Sequence, residues 1–214
     1  MNFNKHFDLQ GKHAILSASS WRWLNDDEES FVKRMCSQYA TTIGTILHEV
    51  ACKHIKHRVK LNKYDRKNVL LELMDNGIPG IVIDALDFDS MFDNLMTYVN
   101  DGIGFKMEPE VVLYYSPNCF GTADTISYSE RDRILRIHDY KSGQTPAHME
   151  QLLIYAALFC FEYRIKVHEL EHVELRIYQK NEIVYHNPEP EEILSTMDKI
   201  VAKDDLVTTI KEEA

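Results

Sequence analysis

Gly121-Thr122-Ala123-Asp124-Thr125-Ile126-Ser127-Tyr128 and Ile134-Leu135-Arg136-Ile137-His138-Asp139-Tyr140-Lys141 decide how this chain is read. Both stretches are rich in β-branched and aromatic residues, and the polar run Ser129 to Arg133 between them has hairpin length. Residues two apart on a strand share a face, so Asp139 and Lys141 point the same way. If the two strands are neighbours, Asp124 can face Asp139 across the hairpin. Two carboxylates converging at a sheet end make a hard-oxygen site, suited to Mg²⁺ or Mn²⁺ that keeps several waters and a substrate phosphate. The ammonium of Lys141 beside such a cation can hold an attacking water and oppose charge gathering on a pentacoordinate phosphorus. Taken alone, Asp-x-Lys at a strand end is an ordinary surface ion pair. Its neighbours in the chain must decide.

Outward from this pair, Glu110 to Tyr115 reads as a preceding strand and Met149 to Phe161 as a continuous apolar helix. Val173 to Tyr178 and Ile183 to Tyr185 form two more strands about Lys180-Asn181, and a terminal helix follows from Glu189. Upstream, the serines of Ser17-Ala18-Ser19-Ser20-Trp21 are N-cap candidates for a helical entry. Tyr39, Ile43, Ile46, Leu47, Val50, Ala51 and Ile55 recur at helical spacing between Gln38 and Val59, with Lys53, Lys56, His57 and Arg58 at the far end, where cations suit a helix C-terminus. Helices over Tyr64 to Met74 and Ser90 to Asn100 are separated by the breakers Gly77, Pro79 and Gly80. The expected architecture is a single α/β domain spanning residues 1–214: a mixed central sheet flanked by helices, with a helical insertion at about 60–105 and the sheet core at about 106–186.

A chain of 214 residues that is 44% hydrophobic and 27% charged, with eleven Tyr and nine Phe, excludes a disordered or fibrous protein. No stretch approaches the ~20 apolar residues that cross a bilayer, and Met1-Asn2-Phe3-Asn4-Lys5-His6 lacks a leader's apolar run. A cytoplasmic protein without membrane partners is expected. Cys36, Cys52, Cys119 and Cys160 form no Cys-x-x-Cys pair, so they suggest neither a zinc knuckle nor a disulfide framework. A net charge of −10 argues against coating nucleic acid by bulk positive charge, but a local groove of Lys and Arg is compatible with it. Lys53, Lys56, Arg58, Lys60, Lys63, Arg66 and Lys67 could form such a track or simply a solvated helix face.

The order of motifs resembles the PD-(D/E)xK nuclease superfamily, specifically its RecB-like exonuclease branch, which includes CRISPR adaptation nucleases and many phage recombination exonucleases. The resemblance runs from about Ser17 to Tyr155 and is carried by Gly44-Thr45-Ile46-Leu47-His48-Glu49, Gly121-Thr122-Ala123-Asp124, His138-Asp139-Tyr140-Lys141-Ser142-Gly143 and Gln151-Leu152-Leu153-Ile154-Tyr155. It implies a restriction-endonuclease-like core in which Asp124 and Asp139 bind Mg²⁺ or Mn²⁺ with the main-chain carbonyl of Tyr140, and Lys141 is the catalytic lysine. It also sets His48 against the metal and gives Gln151 and Tyr155 the tasks of organising the site and touching the DNA strand. Glu110 corresponds more loosely to an acidic residue of some relatives.

The implied activity is a divalent-metal-dependent DNA exonuclease of recombination, repair or phage DNA metabolism, acting on linear ends. A single-strand annealing protein, a helicase or further copies of the same chain are the implied partners. The chain departs from the branch in lacking its iron-sulfur cysteines, since only Cys160 follows Lys141, so no cluster is expected. Asp139 stands where Glu is frequent, and no Gly-x-x-x-x-Gly-Lys-Ser/Thr is present, so ATP-driven unwinding would need a partner. His48-Glu49 fails the zincin spacing because position 52 is Cys. The alternative from another class is a non-catalytic DNA-binding or assembly module that keeps the fold as a scaffold.

Overall fold

Asp27 starts the first long helix, α1 (Glu28–Lys56): its side chain accepts the Ser30 N–H at 2.8 Å, and Glu28 and Glu29 occupy the first turn. The computed structural model describes residues 4–9, 11–12, 14–143 and 148–213. Met1, Asn2 and Phe3, at the head of the stretch examined for a leader, lie outside them. Ser17 is an N-cap as expected, but of a separate 3₁₀ segment, Ala18–Asn25, so the helical entry comes in two pieces. Helix α1 buries Ile43, Ile46, Leu47, Val50, Ala51 and Ile55, six of the seven residues whose spacing predicts it. Three further helices follow, α2 (Arg66–Asp75), α3 (Gly80–Asp84) and α4 (Phe88–Gly104). Helix α3 occupies part of the stretch read as a chain break, because Pro79 sets up a short turn of helix rather than ending one. A Cβ at Gly102 would lie 3.0 Å from Ile55 Cδ1, so glycine there is what lets α4 approach the end of α1.

Five strands form one mixed sheet in chain order: β1 (Glu108–Ser116), β2 (Cys119–Ser129), β3 (Ile134–Tyr140), β4 (His172–Gln179) and β5 (Glu182–His186). Only β3 and β4 are parallel, and the crossover between them carries α5 (Glu150–Tyr163). Helix α6 (Pro190–Glu212) packs on α5. The sheet separates two cores: α1 to α4 close one together with Tyr140 and Tyr178, while α5 and α6 close the other over Leu135, Ile137, Leu175 and Ile177. This is the expected α/β arrangement of a mixed sheet flanked by helices with a helical N-terminal region, and it is consistent with a restriction-endonuclease-like core. Among the described residues no helix is long and apolar enough to cross a membrane.

The sheet forks where the chemistry was expected. Strands β2 and β3 pair from Ser129↔Ile134 to Thr125↔His138 and then part, while β2 continues against β1 as far as Cys119↔Ser116. At the fork the Tyr140 N–H is taken by the Asp124 carboxylate at 3.1 Å instead of by a strand carbonyl. Side-chain alternation breaks at the same point, since Ala123 and Ile126 enter the same core although they are three residues apart. Opposite the break, Glu110 has φ +56°, the only non-glycine residue within a described strand or helix to do so.

Leu47 precedes His48 and is fully buried, so it reports how firmly α1 is seated. Leu47→Ala is expected to lower the unfolding free energy in urea by about 2–5 kcal/mol. A loss below about 1 kcal/mol would mean that α1 is not docked in the way described.

Candidate active site

Asp139 is the most constrained polar residue of the fork, only 2% exposed. It shares strand parity with Leu135 and Ile137, and this places it, with Lys141, on the α5 side of the sheet. Lys141 Nζ donates to Asp139 Oδ1 at 3.0 Å and to Gln151 Oε1 at 3.2 Å, and Gln151 Nε2 donates to the Tyr155 hydroxyl at 3.3 Å. Gln151 and Tyr155, four apart on α5, therefore reach toward the lysine from one helical face, the face their spacing implies. Gly121 completes this chain of contacts. A Cβ there would meet Tyr155 Cε1 at 3.0 Å, so glycine lets the tyrosine close over β2.

On the α1 side, His48 Nδ1 stands 3.4 Å from Asp124 Oδ2, and the imidazole also makes a hydrogen-bonding contact with the Tyr140 main chain. Gly44, one turn earlier, would bring a Cβ to 3.4 Å from Ser142 Oγ, so the Gly-x-x-x-His pattern leaves room for the segment after Lys141. Donor atoms of His48, Glu110 and Asp124 all lie within 4.8 Å of one another. Glu110, the looser assignment from sequence, thus belongs to the cluster. Its left-handed backbone has a cost of order 1–3 kcal/mol that a strand residue without a task would avoid. His48, Glu110 and Asp124 also line an open cleft of about 860 Å³ that runs along α1 to Lys53, Lys56 and His57.

The charges suit a divalent cation. Asp139 Oδ2 is buried without a hydrogen-bond partner, a condition that ordinarily costs about 1–3 kcal/mol or more. Burial, and then the neighbouring Asp124, push the Asp139 carboxyl well above the usual carboxylate range; burial likewise raises Asp124, against the Tyr140 N–H. Burial lowers His48, which keeps its imidazole neutral and able to donate a lone pair. Two carboxylates and one neutral nitrogen, with the orphaned Asp139 oxygen beside Asp124 although outside that cluster of three, fit a hard divalent ion. Every residue assigned to the site from sequence is brought to this fork: His48, Glu110, Asp124, Asp139, Tyr140, Lys141, Gln151 and Tyr155.

The support beneath them was not visible in the sequence. Tyr98 of α4 hydrogen-bonds Thr125 next to Asp124, Thr125 Oγ1 donates to the His138 carbonyl at 3.3 Å, and the Tyr140 hydroxyl donates to the Met91 carbonyl at 3.1 Å. Beneath Asp139, His138 is fully buried between the Tyr178 hydroxyl at 3.2 Å and Glu174 at 3.5 Å. The two-residue periodicity of β3 marks His138 and Tyr140 as inward on the α4 side, the one available hint.

A family model described as Protein of unknown function (DUF2800) matches residues 13–204. No curated protein and no solved structure matches the chain.

The raised carboxyls give a stability test without a substrate. Above the ordinary Asp value of 3.8 and up to the raised folded value of Asp139, the folded protein holds a proton that the unfolded chain has released. In EDTA, stability to urea is therefore expected to fall as pH rises through that window, and Mn²⁺ is expected to restore it. Asp139→Asn should flatten the slope and abolish most of the Mn²⁺ effect. A slope and a Mn²⁺ response unchanged in the variant would remove Asp139 from the site.

Proposed function

We propose that this chain, which belongs to the DUF2800 family, is a divalent-metal-dependent deoxyribonuclease of the PD-(D/E)xK kind, most simply an exonuclease working from linear DNA ends in recombination, repair or phage DNA metabolism. The observation that carries the reading is the convergence at one sheet fork of Asp124, Asp139 and Lys141, with Gln151 and Tyr155 in hydrogen-bonded sequence behind the lysine. His48 and Glu110 extend the donor set on the cleft side. A scaffold that had abandoned chemistry would have no need to keep two carboxylates and an amine in mutual contact within a largely buried site.

Asp124, Asp139, His48 and Glu110 would hold Mg²⁺ or Mn²⁺, with the Tyr140 carbonyl adjacent. Such an ion would supply Lewis acidity and a counter-charge for phosphate oxygens. In the proposed reaction a water attacks phosphorus in line, the P–O3′ bond breaks, and the products are a 5′-phosphate and a 3′-hydroxyl that takes its proton from solvent. Lys141 is held by Asp139 Oδ1 and Gln151 Oε1, so its ammonium is fixed before substrate arrives. From there it orients the water and opposes the negative charge that grows on the phosphoryl oxygens. Gln151, itself hydrogen-bonded to Tyr155, holds the lysine from the α5 side. The proposed compartment is the cytoplasm, where the four free cysteines would stay reduced.

The test is loss of end-labelled linear DNA with Mg²⁺ or Mn²⁺, with 5′- and 3′-labelled linear and circular substrates run side by side. Lys141→Ala and Asp124→Ala are each expected to slow cleavage by about 10²–10³ or more, the usual cost of losing a charge-stabilising group. Gln151→Ala is expected to slow it less, through misplacement of the lysine. Degradation unchanged in both Lys141→Ala and Asp124→Ala would defeat the assignment, and an inert parent protein under both ions would favour the scaffold.

A further inference from the structure

Three successive cross-strand positions on the β1–β2 hairpin lead away from the fork: Glu110 opposite Asp124, then Val112↔Thr122, then Tyr114↔Phe120. The alternate set, Val111, Leu113 and Tyr115 with Cys119 and Ala123, packs into the core under α5. Beyond the break, Val112, Tyr114 and Phe120 therefore lie on the opposite face, the one from which Thr122, Glu110 and Asp124 line the cleft. They are 55%, 45% and 61% exposed. A single exposed apolar residue needs no explanation, but a paired tyrosine and phenylalanine continuous with a cluster of charged donors do. Four residues of strand at ~3.4 Å each set this aromatic pair about 14 Å from Glu110.

The α1 side of the same cleft carries two lysines at its far end, beyond Glu49. Lys53 and Lys56, on the last turns of α1, line it together with His48. Other cations of that basic run are engaged elsewhere: Arg58 with Glu108 at 2.7 Å, and Arg66 with Asp89 at 2.5 Å while stacking on Phe88. Lysines to one side of the donor cluster and aromatic faces to the other make a track suited to an unpaired strand, whose phosphates meet the cations and whose bases lie flat on the rings. In a duplex the base faces are covered by their neighbours, and only the phosphates could use such a cleft.

We propose that Tyr114, Phe120 and Val112 form a stacking platform for unpaired bases next to the metal cluster, so that the DNA end handled by this chain is single-stranded. The inference rests on the nuclease reading for its chemistry, and on the hairpin and cleft for its substrate class. The platform holds the few nucleotides beside the scissile phosphate, while Lys53 and Lys56 track the backbone on the other side.

The test uses Phe120→Trp in the full chain, with EDTA present to stop hydrolysis. Emission is compared with that of the parent protein, which has Trp21 and Trp23. Short oligo-dT is expected to quench the added tryptophan to saturation, whereas a blunt hairpin duplex at the same nucleotide concentration should not. By anisotropy, Tyr114→Ala/Phe120→Ala should weaken oligo-dT at least about tenfold and blunt duplex by no more than about twofold, with an unchanged urea midpoint; Phe120→Tyr should retain affinity. Lys53→Gln/Lys56→Gln should weaken both ligands and reduce the salt dependence. Equal quenching by duplex would overturn the platform, as would no quenching by oligo-dT from a protein that still cleaves DNA. A tryptophan signal that follows protein concentration instead of DNA would overturn it in favour of a second copy of the chain. Quenching by oligo-dT supports the platform even if no hydrolysis is found, in which case the nuclease chemistry alone fails.

Discussion

Two carboxylates held together in a largely buried fork are the constraint on which this structure turns. Asp139 is buried on the α5 side of β3, and Asp124 reaches it only because β2 leaves β3 after Thr125. Had the strands stayed paired for two more residues, the Tyr140 N–H would have gone to a backbone carbonyl and Asp124 would have pointed elsewhere. The fork thus replaces one ladder hydrogen bond with a hydrogen bond to a side-chain carboxylate. The cost appears as a buried oxygen with no donor and as carboxyls that resist ionisation. Arrangements of this kind persist where the strain has a use.

The site is divided between layers that do different things. On the α5 side Gln151 holds Lys141, Tyr155 holds Gln151, and Gly121 admits the tyrosine. The α1 layer shapes the open side, where His48 meets Asp124 and the following turns carry Lys53 and Lys56 along the cleft. Below both, α4 braces the strands through Tyr98 and the Met91 carbonyl. A substrate entering from the cleft would therefore meet the donors first and the lysine beyond them, without disturbing either core.

What could be read from sequence follows from how local each signal is. Alternation in Ile134 to Tyr140 and the spacing from Ile43 to Ile55 are local, and both elements formed where those residues predict. Asp139 and Lys141 share a face by strand geometry, and Gln151 and Tyr155 share one by helix geometry, so those pairs were legible. Placing His48 and Glu110 beside Asp124 was different. It needs α1 and β1 to arrive at one point, and the chain states this only through order of motifs. The left-handed Glu110, the break at Asp124 and the Tyr98–Thr125 brace were beyond sequence altogether, because each depends on a tertiary contact overriding a local preference. The α3 turn at Gly80–Asp84 was missed for the opposite reason: glycine and proline there mark a helix start as readily as a break.

Net charge and proposed substrate can be reconciled through the cleft. At −10, the chain as a whole repels DNA, so a binding mode that relied on many phosphate contacts would be weak and lost at moderate salt. A short contact is a different case. In the proposed mode two lysines would neutralise the phosphates nearest the donor cluster, and a tyrosine and a phenylalanine would hold bases through stacking, which owes little to counterion release. The acidic remainder would then work as a filter, disfavouring long contacts along a duplex and leaving the end of a strand as the piece of DNA that can be held. Under this reading the acidity of the protein and its proposed preference for unpaired ends are one property seen at two scales, with the field of the whole molecule opposing adsorption and the cleft admitting a few nucleotides.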